Sequence, residues 1–177
     1  MTARLIAAAA GLLAALIATL VFAHSASDAY LTLDSMKASA TMSGDTLLHG
    51  QWDIALRDLD FVLSLDANGD GDITWAELRP RQGDIADYAY RYLRIANDTG
   101  PCTIRPIRQM VDDHADGAYA VLFFDVACSG RAKKITIDYR LFFAIDPSHR
   151  GIFVFRSGAG AATALFSPEK ATIELSP

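Results

Sequence analysis

Apolar residues recur along this chain with two different spacings, and the switch between them outlines its elements. "AYLTLD" is a first strand-like run. In "TLLHGQWDIAL", Leu48, Trp52, Ile54 and Leu56 fall on one side of an extended chain, with His49, Gln51, Asp53 and Arg57 on the other. "RDLDFVLSL" then abandons alternation. Leu59, Val62, Leu63 and Leu65 recur at helical spacing, which predicts a short helix with Asp58 as its N-cap. A second helix opens at Thr74, with Glu77 three residues on as a capping box. Leu78, Ile85, Tyr88, Tyr92 and Leu93 carry it to about Ile95, with a kink or break expected at Pro80 and Gly83.

From Cys102 onward the period is two. In "KKITIDYRLFFAID", Ile135, Ile137, Tyr139, Leu141, Phe143 and Ile145 share one face and predict one long strand. "DPSHRG" and "GAGA" are turns around the strand "IFVFRS", and "TALF" and "ATIEL" follow. Short strands with regular turn signals predict an α+β chain: an antiparallel β-sandwich with an inserted helix–loop–helix at about 57–96.

The first residues stand apart. A single early charge, Arg4, precedes an apolar run from Leu5 to Ala23, and small residues and a polar stretch follow. This is the pattern of a signal peptide spanning 1–23, cleaved before His24, with residues 24–177 as one exported domain. An uncleaved membrane anchor is the alternative for a run of that length. The expected location is periplasmic or secreted, with no membrane insertion of the mature chain.

Export changes the meaning of the two cysteines. In an oxidising compartment Cys102 and Cys128 are expected to form a disulfide. The stretch between them is two strand-like runs around "DDHADG", with Ala115 at the midpoint. A hairpin folded there sets Cys102 opposite Cys128, Ile104 near Val126 and Pro106 near Phe124. The net charge of −5 becomes more negative once the leader with Arg4 is removed. Such a surface argues against nucleic acid as a partner.

One stretch carries candidate chemistry: "DANGDGDITWAE", residues 66 to 77. Side-chain oxygens fall at its first, third and fifth places, Asp66, Asn68 and Asp70. Gly71 is sixth, where the chain turns sharply. Asp72 is seventh and offers its backbone carbonyl, and Ile73 is eighth and packs inward. Thr74 is ninth and acts through a water, and Glu77 is twelfth and reaches back with both oxygens. This is the EF-hand calcium loop in every defining place, and it answers why carboxylates that repel one another are crowded together. A hard cation taking six to eight oxygens at about 2.3–2.6 Å suits the set, calcium better than magnesium. "DDHADGAYAVLF", from Asp112 to Phe123, imitates only the first half of the pattern. Phe123 stands where a glutamate is needed, so this segment is a hairpin turn.

Other candidates are weaker. An amino-terminal His24 would chelate copper through its amine and ring. His49, His114 and His149 have no zinc-site spacing. The sequence contains no Gly-x-Ser-x-Gly, His-Glu-x-x-His or phosphate loop, and the expectation is a non-enzymatic protein.

"AHSASDAYLTL", "GQWDIALRDLDFVLSLDANGDGDITWAEL" and "IDYRLFFAIDPSHRGIFVF" together resemble the extracytoplasmic part of HupE/UreJ-type bacterial membrane proteins. The resemblance implies an exported β-rich module carrying an EF-hand, placed before a membrane region linked to nickel or other metal uptake. It further implies an accessory or sensor role through contact with a membrane protein. No hydrophobic span follows within this sequence, which is either a stand-alone relative or a piece of a longer chain, so transport itself is not carried over. Only Asp66, Asn68, Asp70, Asp72 and Glu77 carry over from the family pattern.

Overall fold

The structure, a computed structural model, describes residues 27–36 and 45–176. The leader expected over residues 1–23, its cleavage site and His24 lie outside the described residues. Among the described residues the elements run β1 (Asp28–Ser35), β2 (Thr46–Ala55), α1 (Leu56–Leu63), α2 (Trp75–Arg91), β3 (Leu93–Asn97) and β4 (Gly100–Pro101). They continue with β5 (Thr103–His114), β6 (Gly117–Cys128), β7 (Ile135–Tyr139), β8 (Arg150–Ser157), β9 (Gly160–Phe166) and β10 (Thr172–Leu175). This is a mixed α+β fold with two sheets. A six-stranded sheet has the order β5-β6-β2-β1-β8-β9, and a four-stranded sheet the order β10-β7-β3-β4.

Alternation dictates which faces meet. Leu31 and Leu33 of β1, Trp52 and Ile54 of β2, Leu122 and Phe124 of β6, and Phe153 of β8 are all buried. They share one core with Leu93 and Ile95 of β3 and with Ile135, Ile137 and Tyr139 of β7. Ring contacts join the two sheets: Tyr139 lies 5.5 Å from Trp52 and stacks at 4.9 Å on Phe166. Area removed from water on this scale is the main favourable term in folding such a chain.

The structure departs from the sequence expectation in five places. Strand pairing is antiparallel except that β1 and β8 run parallel, because the chain crosses through the four-stranded sheet before returning beside β1. Asp58 is not an N-cap: α1 starts at Leu56, and Asp58 sits in its first turn with its carboxylate turned to Ser27. The second helix stops at Arg91, and Leu93 and Ile95 pair as strand with Tyr139 and Ile137 of β7. Their alternating burial, one residue in and one out, is the strand period that the helical count overran.

The long strand expected through Ile145 ends at Tyr139. Phe142 adopts the left-handed conformation at φ 59° and turns the chain out of the sheet. Leu141 and Phe142 are still buried there, while Ile145 is 48% exposed. Neither Pro80 nor Gly83 breaks α2, which is one helix of 17 residues. Leu78, Ile85 and Ala89 hold its buried stripe across the lost Pro80 hydrogen bond.

Cys102 and Cys128 are bridged, with Cα atoms 4.3 Å apart. The hairpin register is the one the spacing implied, Ile104 opposite Val126 and Pro106 opposite Phe124, before a bulge at Pro106–Arg108. Cys128 ends β6 of the large sheet, and the Cys102 N–H donates to the Ile95 carbonyl of β3 at 2.8 Å. The disulfide therefore ties one sheet to the other.

Candidate metal centre

The segment 66–77 joins α1 to α2, and its entry and exit are both fixed by short polar contacts. At the entry Ser64 caps α1 in the left-handed conformation, its N–H donating to the Asp60 carbonyl at 2.7 Å. The Asp60 Oδ1 atom then accepts the N–H groups of Leu65 at 2.6 Å and Asp66 at 2.9 Å. At the exit Glu77 and Thr74 form the capping box, with Glu77 Oε2 accepting the Thr74 N–H at 2.9 Å. Arg81 locks the two helices together. Its Nη2 and Nη1 donate to the Leu63 and Ser64 carbonyls at 2.8 and 3.1 Å, and its Nε pairs with Asp84. A cation at the carbonyl end of α1 also suits the helix dipole.

Within the segment each candidate oxygen organises the backbone. Asp66 accepts the Gly69 N–H on Oδ1 at 2.7 Å and the Gly71 N–H on Oδ2 at 2.8 Å. Asn68 Oδ1 accepts the Asp70 N–H, and Asp70 Oδ1 accepts the Asp72 N–H. Asn68 Nδ2 donates to Asp70 Oδ2 at 2.8 Å. Gly71 has φ 90°, a conformation that a side chain would strain, as the sixth place of the pattern requires. Glu77 Oε1 reaches across the whole loop to the Ala67 N–H at 3.0 Å. Hydrogen bonds from Thr74, first through its hydroxyl and then its backbone, hold the Glu77 carboxyl below its ordinary pKa.

The structure thus places Asp66, Asn68, Asp70 and Glu77 on one closed loop, with Asp72 and Thr74 within it. Ile73 is half-buried and packs on the core, while its neighbours Asp72 and Thr74 are exposed. Among the described residues, no three His, Cys, Asp or Glu side chains are gathered around one point as a metal cluster. The oxygens face backbone N–H donors instead. A carboxylate carries about four lone-pair sites, so those bonds leave acceptor capacity on Asp66 and Asp70, while Glu77 already accepts from Ala67, Asn68 and, twice, Thr74. The donor set is all oxygen, partly anionic and exposed, which is the chemistry of a hard divalent cation.

Sequence reasoning missed Arg81, although Asp84 three residues later is a signal for an exposed helical pair. The described histidines, in which the sequence shows no zinc-site spacing, each have another partner or surrounding. His49 pairs with Asp125 at 3.0 Å and His114 with Asp53 at 3.3 Å, while His149 is fully buried. Within the 112–117 stretch, Ala115 and Asp116 form the two-residue turn between β5 and β6. No helix among the described residues is long and apolar enough to cross a membrane. No protein-family model matches this chain, and no curated protein matches it either.

Proposed function

We propose that this chain is an exported β-sandwich carrying one EF-hand, and that it works as a calcium-binding module rather than as an enzyme. The observation that carries this reading is the return of Glu77 to Ala67 across a loop in which Asp66, Asn68 and Asp70 all fold inward on the backbone. That frame brings the first and twelfth places of the pattern to the same end of the loop. Asp66, Asn68, Asp70, the Asp72 carbonyl, Thr74 through a water and Glu77 would hold the ion. A bound divalent cation neutralises like charges that otherwise repel, and so draws α1 and α2 together on the β-rich domain. The interior disulfide supports an oxidising compartment.

Calorimetric titration of the leaderless protein tests the reading. Calcium gives saturable heat and raises the melting temperature, magnesium gives less of both, and Asp66→Ala abolishes the calcium response. Absence of heat and of any thermal shift at millimolar calcium refutes it.

A further inference from the structure

Between α1 and the turn after β7 lies a cleft of about 580 Å³, within the range of small-molecule sites. Its walls have two characters. One is polar, with Ser27, Asp58 and Asp146; the other is apolar, with Phe61, Phe142 and Ile145. Phe61 is 79% exposed and Ile145 is 48% exposed, so two large apolar side chains rim the same opening. Phe142 is buried and held at positive φ, a strained position for a bulky residue.

Beneath the polar wall runs a hydrogen-bonded chain. The Ser27 hydroxyl donates to Asp58 Oδ2 at 2.9 Å, and Ser27 Oγ lies 2.7 Å from His149 Nδ1. A hydroxyl has one proton, so His149 Nδ1 is the donor to Ser27, and Nε2 accepts from the Tyr139 hydroxyl at 2.7 Å. The order tyrosine–histidine–serine–aspartate is not that of a charge relay, in which the carboxylate holds the imidazole. Its effect is to fix Ser27 and Asp58 rigidly, as a recognition site requires.

The charge balance selects the ligand. Asp58 and Asp146 both line the cleft, and although burial raises the Asp58 carboxyl, the Ser148 hydroxyl holds that of Asp146 below its ordinary pKa and so anionic. Arg57 is the cation on this wall, yet it is shared. It lies 3.4 Å from Asp58, and its Nη1 and Nη2 donate to the Asp116 carbonyl and carboxylate at 3.2 and 3.4 Å. A carboxylate pair beside the exposed Phe61 ring is complementary to a positive group with an apolar body, through ion pairing and cation–π attraction.

We infer that the cleft between α1 and the turn after β7 binds a small organic cation, an ammonium group seated at Asp58 and Asp146 with its apolar body against Phe61, Phe142 and Ile145. This does not depend on the calcium reading, because none of the loop residues 66–77 lines the cleft.

Titration of the leaderless protein with phenethylammonium, against the neutral 2-phenylethanol, decides it. Phenethylammonium gives saturable binding in the micromolar to millimolar range, and 2-phenylethanol gives none. Asp58→Asn and the surface change Phe61→Ala each weaken the cation by at least about tenfold. Melting curves report whether each variant is folded, and Phe61→Ala, on an exposed side chain, serves if Asp58→Asn is not. No saturable binding of the cation, equal binding of the alcohol, or unchanged affinity in a folded Phe61→Ala overturns the inference, including in favour of a cleft that receives a partner protein's side chain.

Discussion

Glu77 Oε1 accepts the Ala67 N–H at 3.0 Å, closing a ring of backbone that spans ten residues. The same carboxylate caps α2 through Thr74, so one side chain both starts a helix and shuts the loop before it. Glu77→Gln keeps the length and one acceptor oxygen but removes the charge. The calcium affinity measured by calorimetry falls by at least about tenfold, since a hydrogen-bonded anion is replaced by a neutral amide. The secondary structure seen by circular dichroism is preserved. Unchanged affinity in this variant would show that the twelfth place contributes no ligand.

The bridge between Cys102 and Cys128 fastens the point where the chain passes from one sheet to the other, because Cys102, between β4 and β5, is hydrogen-bonded to β3 and Cys128 belongs to β6. Its 26-residue separation closes a loop that is otherwise a hairpin. Reduction, or paired substitution by serine, lowers stability by about 2–4 kcal/mol in denaturant titrations. Any calcium affinity changes little, because the candidate loop 66–77 lies on the helical connection and not on the hairpin. A denaturation midpoint indifferent to reductant contradicts this role.

Much of this was legible from residue spacing, and the exceptions have physical causes. The hairpin register followed from Cys102, Ile104 and Pro106 because a two-residue period and one bridge leave a single alignment. Of the loop, the sharp turn at Gly71 and the return of Glu77 across the segment were legible, because each needs one residue type at one place. The helix end at Arg91 was not legible, since Tyr88, Tyr92 and Leu93 satisfy the helical count and only pairing with β7 turns Leu93 into strand. Nor was the cleft, whose walls come from Ser27, α1 and the turn after β7, segments that no local pattern relates. The β1–β8 pairing was hidden for the same reason, because parallel neighbours are joined only through distant chain.

Glycines in strands belong to this legible set once the core is known. A β-carbon at Gly151 would lie 2.8 Å from the Tyr139 ring and 3.2 Å from Phe166. Tyr139 cannot yield, because it is fully buried and its hydroxyl is held by His149. Gly151→Ala therefore costs about 1–3 kcal/mol, as overpacking of a filled core does. Urea denaturation measures it, and Gly158→Ala, at a position with open space around it, is the control and changes little. Equal stability of the two variants would mean that the ring moves freely.

His149 is buried and neutral, and its pKa is pushed down to about 4, chiefly by burial. Asp146 raises it and Arg150 lowers it, while Ser27 and Tyr139 occupy the two ring nitrogens. In the unfolded chain the ring titrates near the ordinary value of 6.5. Between these values the unfolded state holds the extra proton, so stability falls as pH falls from about 6.5, and the loss is complete below about 4. The gap corresponds to about 3 kcal/mol. Asp28 and Asp58, raised by burial, act in the opposite sense and gain stability as pH falls, so the raw curve mixes both. Comparison with His149→Gln isolates the imidazole. Its stability is lower at pH 7, yet its dependence on pH between about 4 and 6.5 is shallower than that of the parent. Chemical denaturation at a series of pH values measures both slopes, and parallel slopes would require a protonated His149 in the folded core.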